Sequence, residues 1–277
     1  MTQIQRLNLA EADPNNIGWN SMLDELFSLK GKRALVTGGA RGIGKAVAEA
    51  IGHMGADLVL FDIQEELLAQ TVAELRASTG RHVEARVVNV VDHAAVTEAV
   101  EDVWVTDGPV QLVFNNAGIV LQKSAIETTP EEWRRVIDVN LNGMFNVAQV
   151  CGRKLIEAGL EGSFVNTGSM SATIVNYPQL QASYNVSKAG VVHLTKSLAY
   201  EWAEHGIRVN CISPGYIFTE LTSFVREDWR DQWARLTPMQ RLGKPEELAS
   251  AVVYFLAGSA SFTTGAELII DGGFTTV

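Results

Sequence analysis

Between residues 33 and 270, short unbroken apolar runs alternate with longer amphipathic stretches, and this alternation constrains the fold more than any single motif. Runs such as Arg33-Ala-Leu-Val-Thr37 and Asp57-Leu-Val-Leu-Phe61 are apolar at every central position, so such strands are covered on both faces. Further strands are expected at 82–88, 110–114, 163–167, 207–212 and 266–270. Helices are expected at 42–54 and 65–78, then one ending near 105, then at 131–158, 184–204 and 245–257. Strands covered on both faces and linked by helices form a parallel sheet, and right-handed crossovers wind it outward in both directions. The fold class is therefore α/β, a single-domain doubly wound parallel sheet with helices on both faces. No repeat, low-complexity tract or linker divides residues 29–277. Residues 1–28 read as an N-terminal extension, with a loop signal at Asp13-Pro14-Asn15-Asn16 and one amphipathic turn at Met22, Leu23, Leu26 and Phe27.

Composition narrows the function. A net charge of −10 over 277 residues, with no Lys/Arg run, argues against a nucleic-acid surface. The two cysteines, Cys151 and Cys211, each sit in an apolar run and read as buried free thiols. The histidines show no metal-ligand spacing, and no metal is expected. Without an eighteen-residue apolar run or a basic start before an apolar core, the chain is expected to be cytoplasmic, with no membrane partner.

Directly after the first strand stands Thr37-Gly-Gly-Ala-Arg-Gly-Ile-Gly44. Glycines in a strand–turn–helix unit allow a tight turn and offer free N–H groups at the helix start to a pyrophosphate. The alternative is a plain glycine turn; the context favours dinucleotide binding and a Rossmann fold. Asp62 ends the second strand, where a carboxylate accepts from both ribose hydroxyls and repels a 2′-phosphate. Asp62-Ile-Gln-Glu65 also fits a capping box for the next helix, and both roles can hold together. Arg41, in the glycine turn, pulls toward a 2′-phosphate; the carboxylate tips the expectation to NAD. Asn115-Asn-Ala-Gly118 follows the fourth strand at the ligand-binding edge, and Ser169 and Ser171 follow the fifth. Asn140, followed by Gly143 inside a strong helix, lowers local helicity, which makes sense where a kink or a bound water is wanted. In Tyr184-Asn-Val-Ser-Lys188 the tyrosine and lysine share one helix face, where an ammonium lowers a phenol pKa. Alone, that pair is no more than a helix contact.

Taken together, TGGARGIG, NNAG, VNLNG, GSMS, YNVSK and SPGYIFT, in this order and spacing, resemble the short-chain dehydrogenase/reductase family from residue 29 to 277. The resemblance is greatest to polyol dehydrogenases and ketose reductases. It implies that Tyr184 is the proton-transfer group, and that Lys188 holds the nicotinamide ribose and keeps the tyrosine pKa low. It implies further that a serine binds the substrate oxygen and that Asn140 supports a water near the lysine. Spacing from the tyrosine selects Ser171 in many members; alignment on the strand end selects Ser169, which is preferred, with Ser171 lining the substrate site. Cofactor contacts are implied for Gly38, Arg41, Gly42, Ile43, Gly44, Asp62, Asn89, Val90, Asn116, Ala117 and Gly118. Tyr184 and Lys188 join them, as do Pro214, Gly215, Ile217 and Thr219, the last two at the carboxamide. Asn89 stands where members often carry Asp, so its contact to adenine is expected to survive in weaker form.

Residues 216–244 correspond to the mobile substrate loop, in which Trp229 and Trp233 serve either the substrate site or subunit packing. Ser169, Ser171, Asn176, Gln181 and Tyr184 are the expected substrate contacts, beside apolar Leu121, Ile174 and Val175. Hydroxyl-binding groups suit a polyol or ketose. The expectation is NAD-dependent interconversion of a secondary alcohol and a ketone; carbonyl or diketone reduction is the alternative, and a non-catalytic nucleotide-binding regulator a remote one. The resemblance also implies a homotetramer.

Overall fold

The computed structural model describes residues 19–223 and 225–276; most of the N-terminal extension, residues 1–18, lies outside them. Helix α1 (Trp19–Phe27) packs against the turn at Gly258–Ala260. The alternating part then runs β1 (Arg33–Thr37), α2 (Gly42–His53), β2 (Asp57–Asp62), α3 (Glu65–Thr79), β3 (Val83–Val87), α4 (His93–Thr106) and β4 (Leu112–Asn115). It continues through α5 (Pro130–Ile137), a π turn at Asp138–Asn142, α6 (Gly143–Ala158), β5 (Gly162–Thr167), α7 (Ala182–Trp202) and β6 (Ile207–Pro214). Two short helices follow, α8 (Glu220–Ser223) and α9 (Glu227–Leu236), and then α10 (Glu246–Leu256) and β7 (Glu267–Ile270).

All seven strands pair in parallel in the order β3-β2-β1-β4-β5-β6-β7. Strand side chains alternate between faces. Ala34, Val36, Leu58 and Leu60 enter one core with α2, α3 and α10, whereas Leu35, Val59, Val113 and Phe164 enter a second with α4, α6 and α7. Each large side chain removed from water contributes about 1.5–3 kcal/mol. Two full layers explain why the strands read as continuously apolar.

The structure departs from the sequence expectation at two places. The helix expected at 131–158 is interrupted by the π turn around Asn140. The local cause is the Asn and Gly run, and the tertiary cause is that the Asn140 side chain is held elsewhere. Its Oδ1 accepts from the Ile119 N–H (2.8 Å), and its Nδ2 donates to the Ile119 carbonyl (2.9 Å) and to Ser187 Oγ (3.0 Å). The segment at 216–244, expected as a loop, carries α8 and α9. Helix α9 is marked by its buried Trp233.

Candidate active site

The strand order reverses between β1 and β4, and at the carboxyl ends of these strands opens a cavity of about 640 Å³. It runs from the glycine turn and Asp62 at one end to Gln179 and Trp233 at the other. Of the site residues expected from sequence, all line it except Gly44 and Asn140, which sit behind the wall.

The cofactor end is built largely of main chain. Gly38 has φ +63°, and a Cβ there would lie 3.0 Å from Ala117 Cα. At Gly44 a Cβ would meet the Gly38 carbonyl oxygen at 2.0 Å, so this glycine lets α2 close onto the turn rather than touching ligand. Thr37 Oγ1 accepts from the N–H groups of Asn116 (2.9 Å) and Ala117 (3.0 Å), which ties the NNAG segment to the end of β1. Arg41, exposed, is the N-cap of α2 and makes no side-chain cap bond, so the first N–H groups of the helix are left open to an anion.

Asp62 takes the place expected, but the capping box does not form: the N-cap of α3 is Gln64, without a side-chain bond. The carboxylate instead turns back over the glycine turn, where Oδ2 accepts from the Ala40 N–H and Oδ1 from the Gln64 N–H, both at 3.1 Å. Each oxygen keeps a further lone pair for a ribose hydroxyl. Asn89 Oδ1 accepts from the Val91 N–H (3.1 Å) and likewise keeps accepting capacity. An open helix start, a carboxylate at the strand tip and a backbone-walled cleft fit a nicotinamide dinucleotide.

At the middle of the cavity α7 brings Tyr184 and Lys188 to one face, with Lys188 Nζ 5.6 Å from the tyrosine ring centroid. Lys188 is 3% exposed, and its ammonium donates to the Thr167 carbonyl at 2.7 Å. Burial lowers its pKa to about 8, so at neutral pH it stays mostly charged. Tyr184 corrects an expectation. Its pKa lies above the ordinary phenol value because burial disfavours the phenolate, while the neighbouring Ser169 hydroxyl pulls the other way and nearby Tyr216 adds to the rise. The Lys188 ammonium gives one N–H to the Thr167 carbonyl and keeps its charge beside the phenol.

Ser169 is the serine beside Tyr184. Its Oγ donates to Ser171 Oγ (3.0 Å) and accepts from the Ser171 N–H (3.1 Å), so Ser171 braces it from behind.

The substrate end differs most from expectation. Val175 is 85% exposed, and neither it nor Leu121 and Ile174 lines the cavity; the apolar wall is Ile119, Val120, Met170 and Ile217. Asn176 and Gln181 do line it, but their amides are largely spent within the protein. Gln181 Nε2 donates to Asn176 Oδ1 and to Asn185 Oδ1, both at 3.0 Å, and Asn176 Nδ2 donates to the Tyr216 hydroxyl at 3.2 Å. Sequence reasoning passed over Tyr216 and Gln179. Gln179 Nε2 also donates to the Tyr216 hydroxyl (2.9 Å), and Gln179 Oε1 accepts from the Trp233 indole N–H (3.0 Å). Tyr216 and Trp233 stack with ring centroids 4.3 Å apart. Trp233, 2% exposed within its own chain, has no surface left for subunit packing. The position of Tyr216 directly after Pro214-Gly215 was the only sequence signal for it.

Among the described residues no group of acidic, His and Cys side chains could hold a metal ion, and no helix is long and apolar enough to cross a membrane. Both cysteines are free and buried.

The geometry agrees with what known proteins resemble this chain. A family model described as enoyl-(acyl carrier protein) reductase matches residues 38–275. A galactitol 2-dehydrogenase of Rhizobium johnstonii is 45% identical, the match covering 90% of this chain and 97% of the relative. An NADP-dependent mannitol dehydrogenase of Alternaria alternata is 41% identical over 94% of this chain and 98% of its own. A sorbose reductase of Candida albicans is 40% identical over 91% and 89%. Among solved structures, a short-chain type dehydrogenase/reductase from Mycobacterium marinum superposes with a TM-score of 0.89 at 38% identity, covering 91% of this chain and 99% of that one. With the cleft, the Tyr–Lys pair and these likenesses in agreement, the chain belongs to the short-chain dehydrogenase/reductase family, whose members are nicotinamide-dinucleotide-dependent oxidoreductases.

Proposed function

We propose that this protein is an NAD-dependent oxidoreductase interconverting a secondary alcohol of a polyol and the matching ketose, with Tyr184 as general acid/base. One observation carries the reading: Tyr184, beside Ser169 and Lys188, shares a single cavity with an open glycine turn and the Asp62 carboxylate. The choice of a polyol is supported by relatives named for galactitol, mannitol and sorbose.

In the oxidation direction Tyr184, as the tyrosinate, takes the proton of the substrate hydroxyl on Oη while Ser169 Oγ holds the same oxygen. The nicotinamide, when bound, takes up or supplies the hydride at its C4. Lys188, anchored on the Thr167 carbonyl, has further N–H donors for the nicotinamide ribose, and its charge favours the tyrosinate once the phenol loses its proton. Asn140 spends both side-chain N–H donors on Ile119 and Ser187, so support for a water falls to its main-chain carbonyl in the wide π turn. Residues 29–277 act as one dehydrogenase domain, and the segment 216–244 closes over the ligand. NAD is preferred because Asp62 faces the cleft; exposed Arg41 makes the preference less than absolute. A cytoplasmic homotetramer completes the reading.

The test offers NAD and NADP with a panel of polyols, simple secondary alcohols and ketones and follows nicotinamide absorbance. Turnover of a polyol with NAD above all other pairs is expected. Cofactor binding without turnover of any substrate would overturn the enzyme, and faster reduction of small ketones than of any ketose would overturn the polyol.

A further inference from the structure

The hydrogen bonds at the far end of the cavity have a direction, and that direction decides what the cavity offers to substrate. An indole N–H can only donate, so Trp233 fixes Gln179 with Oε1 toward the indole and Nε2 toward Tyr216 (3.0 and 2.9 Å). On the other side Gln181 Nε2 donates to Asn176 Oδ1, which turns Asn176 Nδ2 toward the same phenol (3.2 Å). The Tyr216 oxygen therefore accepts two N–H donors, and its lone pairs are filled. Its own hydrogen meets no acceptor among the described residues, and the side chain lines the cavity.

We infer that Tyr216 is a specificity-determining residue whose hydroxyl, made an obligate donor by Gln179 and Asn176, binds an acceptor oxygen of the substrate away from the reacting carbon. For a polyol that oxygen is a further hydroxyl of the chain; the inference rests on the polyol reading above. The ring is immobilised by the Trp233 stack at 4.3 Å and by edge contact with Phe274 at 5.3 Å, so the donor is held in place before substrate arrives. Its closeness to the proton-transfer group is felt there, since Tyr216 is one of the groups that raise the Tyr184 pKa. Gln179 acts through Tyr216 and is a positioning residue. A substrate with only the reacting oxygen leaves the donor facing apolar carbon, and a site with an unmatched buried donor discriminates against such a ligand.

The test compares kcat/KM for the best polyol with that for a simple secondary alcohol, in the full-length enzyme. Tyr216→Phe removes the donor but keeps the ring. Gln179→Glu keeps the phenol, yet its carboxylate accepts from both the indole and the phenol and draws the Tyr216 hydrogen away from the cavity. Each substitution is expected to lower the polyol-over-simple-alcohol preference about tenfold, through KM for the polyol more than through kcat. General damage to the fold would lower both substrates alike and leave the preference where it was. Retention of the wild-type preference by either variant overturns the inference. Failure of the wild-type enzyme to oxidise any polyol overturns the functional reading instead, so the two failures are distinguishable.

Discussion

The two ends of the cavity are made of different materials. At the cofactor end the contacts are main-chain N–H groups, glycine surfaces and a carboxylate held by two backbone donors. At the substrate end a chain of amides, a phenol and an indole hydrogen-bond to one another, with the Tyr216 hydrogen left over. A backbone-built pocket depends on conformation, and only glycine allows some of those conformations and close approaches. A pocket built of side chains depends on which partner each amide chooses. On the proposed reading, recognition of the common ligand is fixed by the turn, and recognition of the variable ligand by a rewirable polar network.

Variants sharpen that contrast, beginning between the two ends. Tyr184→Phe is expected to lower kcat about 1,000-fold while cofactor affinity, measured by fluorescence titration, stays within about twofold. Full retained activity would remove the proton-transfer role. Lys188→Met is expected to cost about 100-fold in kcat/KM, with cofactor affinity falling as well. Its effect on stability has a sign. Burial holds the folded pKa at about 8 against an ordinary 10.5, so the unfolded chain binds more protons between these values. Wild-type stability from this group therefore rises with pH across that window, by roughly 3 kcal/mol at most. Denaturant curves of wild type and Lys188→Met should accordingly differ by an amount that drifts in favour of wild type from pH 8 to 10.5, and a constant difference would contradict the buried ammonium.

At the cofactor end, Asp62→Ala is expected to lower the NAD-over-NADP preference about tenfold or more, read as the ratio of kcat/KM values. It also orphans the buried Ala40 N–H, at a cost of about 1–3 kcal/mol on the denaturation curve. A preference left unchanged would mean that Arg41 sets it. Smallest is Asn89→Asp, which is expected to tighten dinucleotide binding about threefold by exchanging a neutral acceptor for a charged one.

The same contrast explains what could be read without coordinates. The sheet was legible because both of its faces are buried, which makes Leu58 and Val59 equally apolar although they point into different cores. The glycine turn and the Tyr184–Lys188 pair were legible because their spacing is itself the geometry. Asp62 was legible as a carboxylate at the strand tip, but its apparent capping box was local grammar overruled by the nearby Ala40 N–H. Asn176 and Gln181 line the cavity, yet nothing local says that Gln181 prefers Asn176 and Asn185 to a ligand. Tyr216 and Trp233 meet only through folding, so neither carried a readable signal of the other. The rise in the tyrosine pKa was hidden for a similar reason, because spacing shows an ammonium nearby but not the burial of the phenol.

The π turn at Asp138–Asn142 gives the long helix one surplus residue. Each residue turns a helix by about 100°, so this surplus resets the rotational phase between α5 and α6. Val136 before it and Met144, Val147 and Cys151 after it are buried, and Asn140 is wedged between Ile119 and Ser187. Removing a single residue from 138–142 would restore a regular helix and rotate one half of it against the other. The active-site wall is thus tied to a count of residues, so within this stretch the chain tolerates substitution far better than deletion.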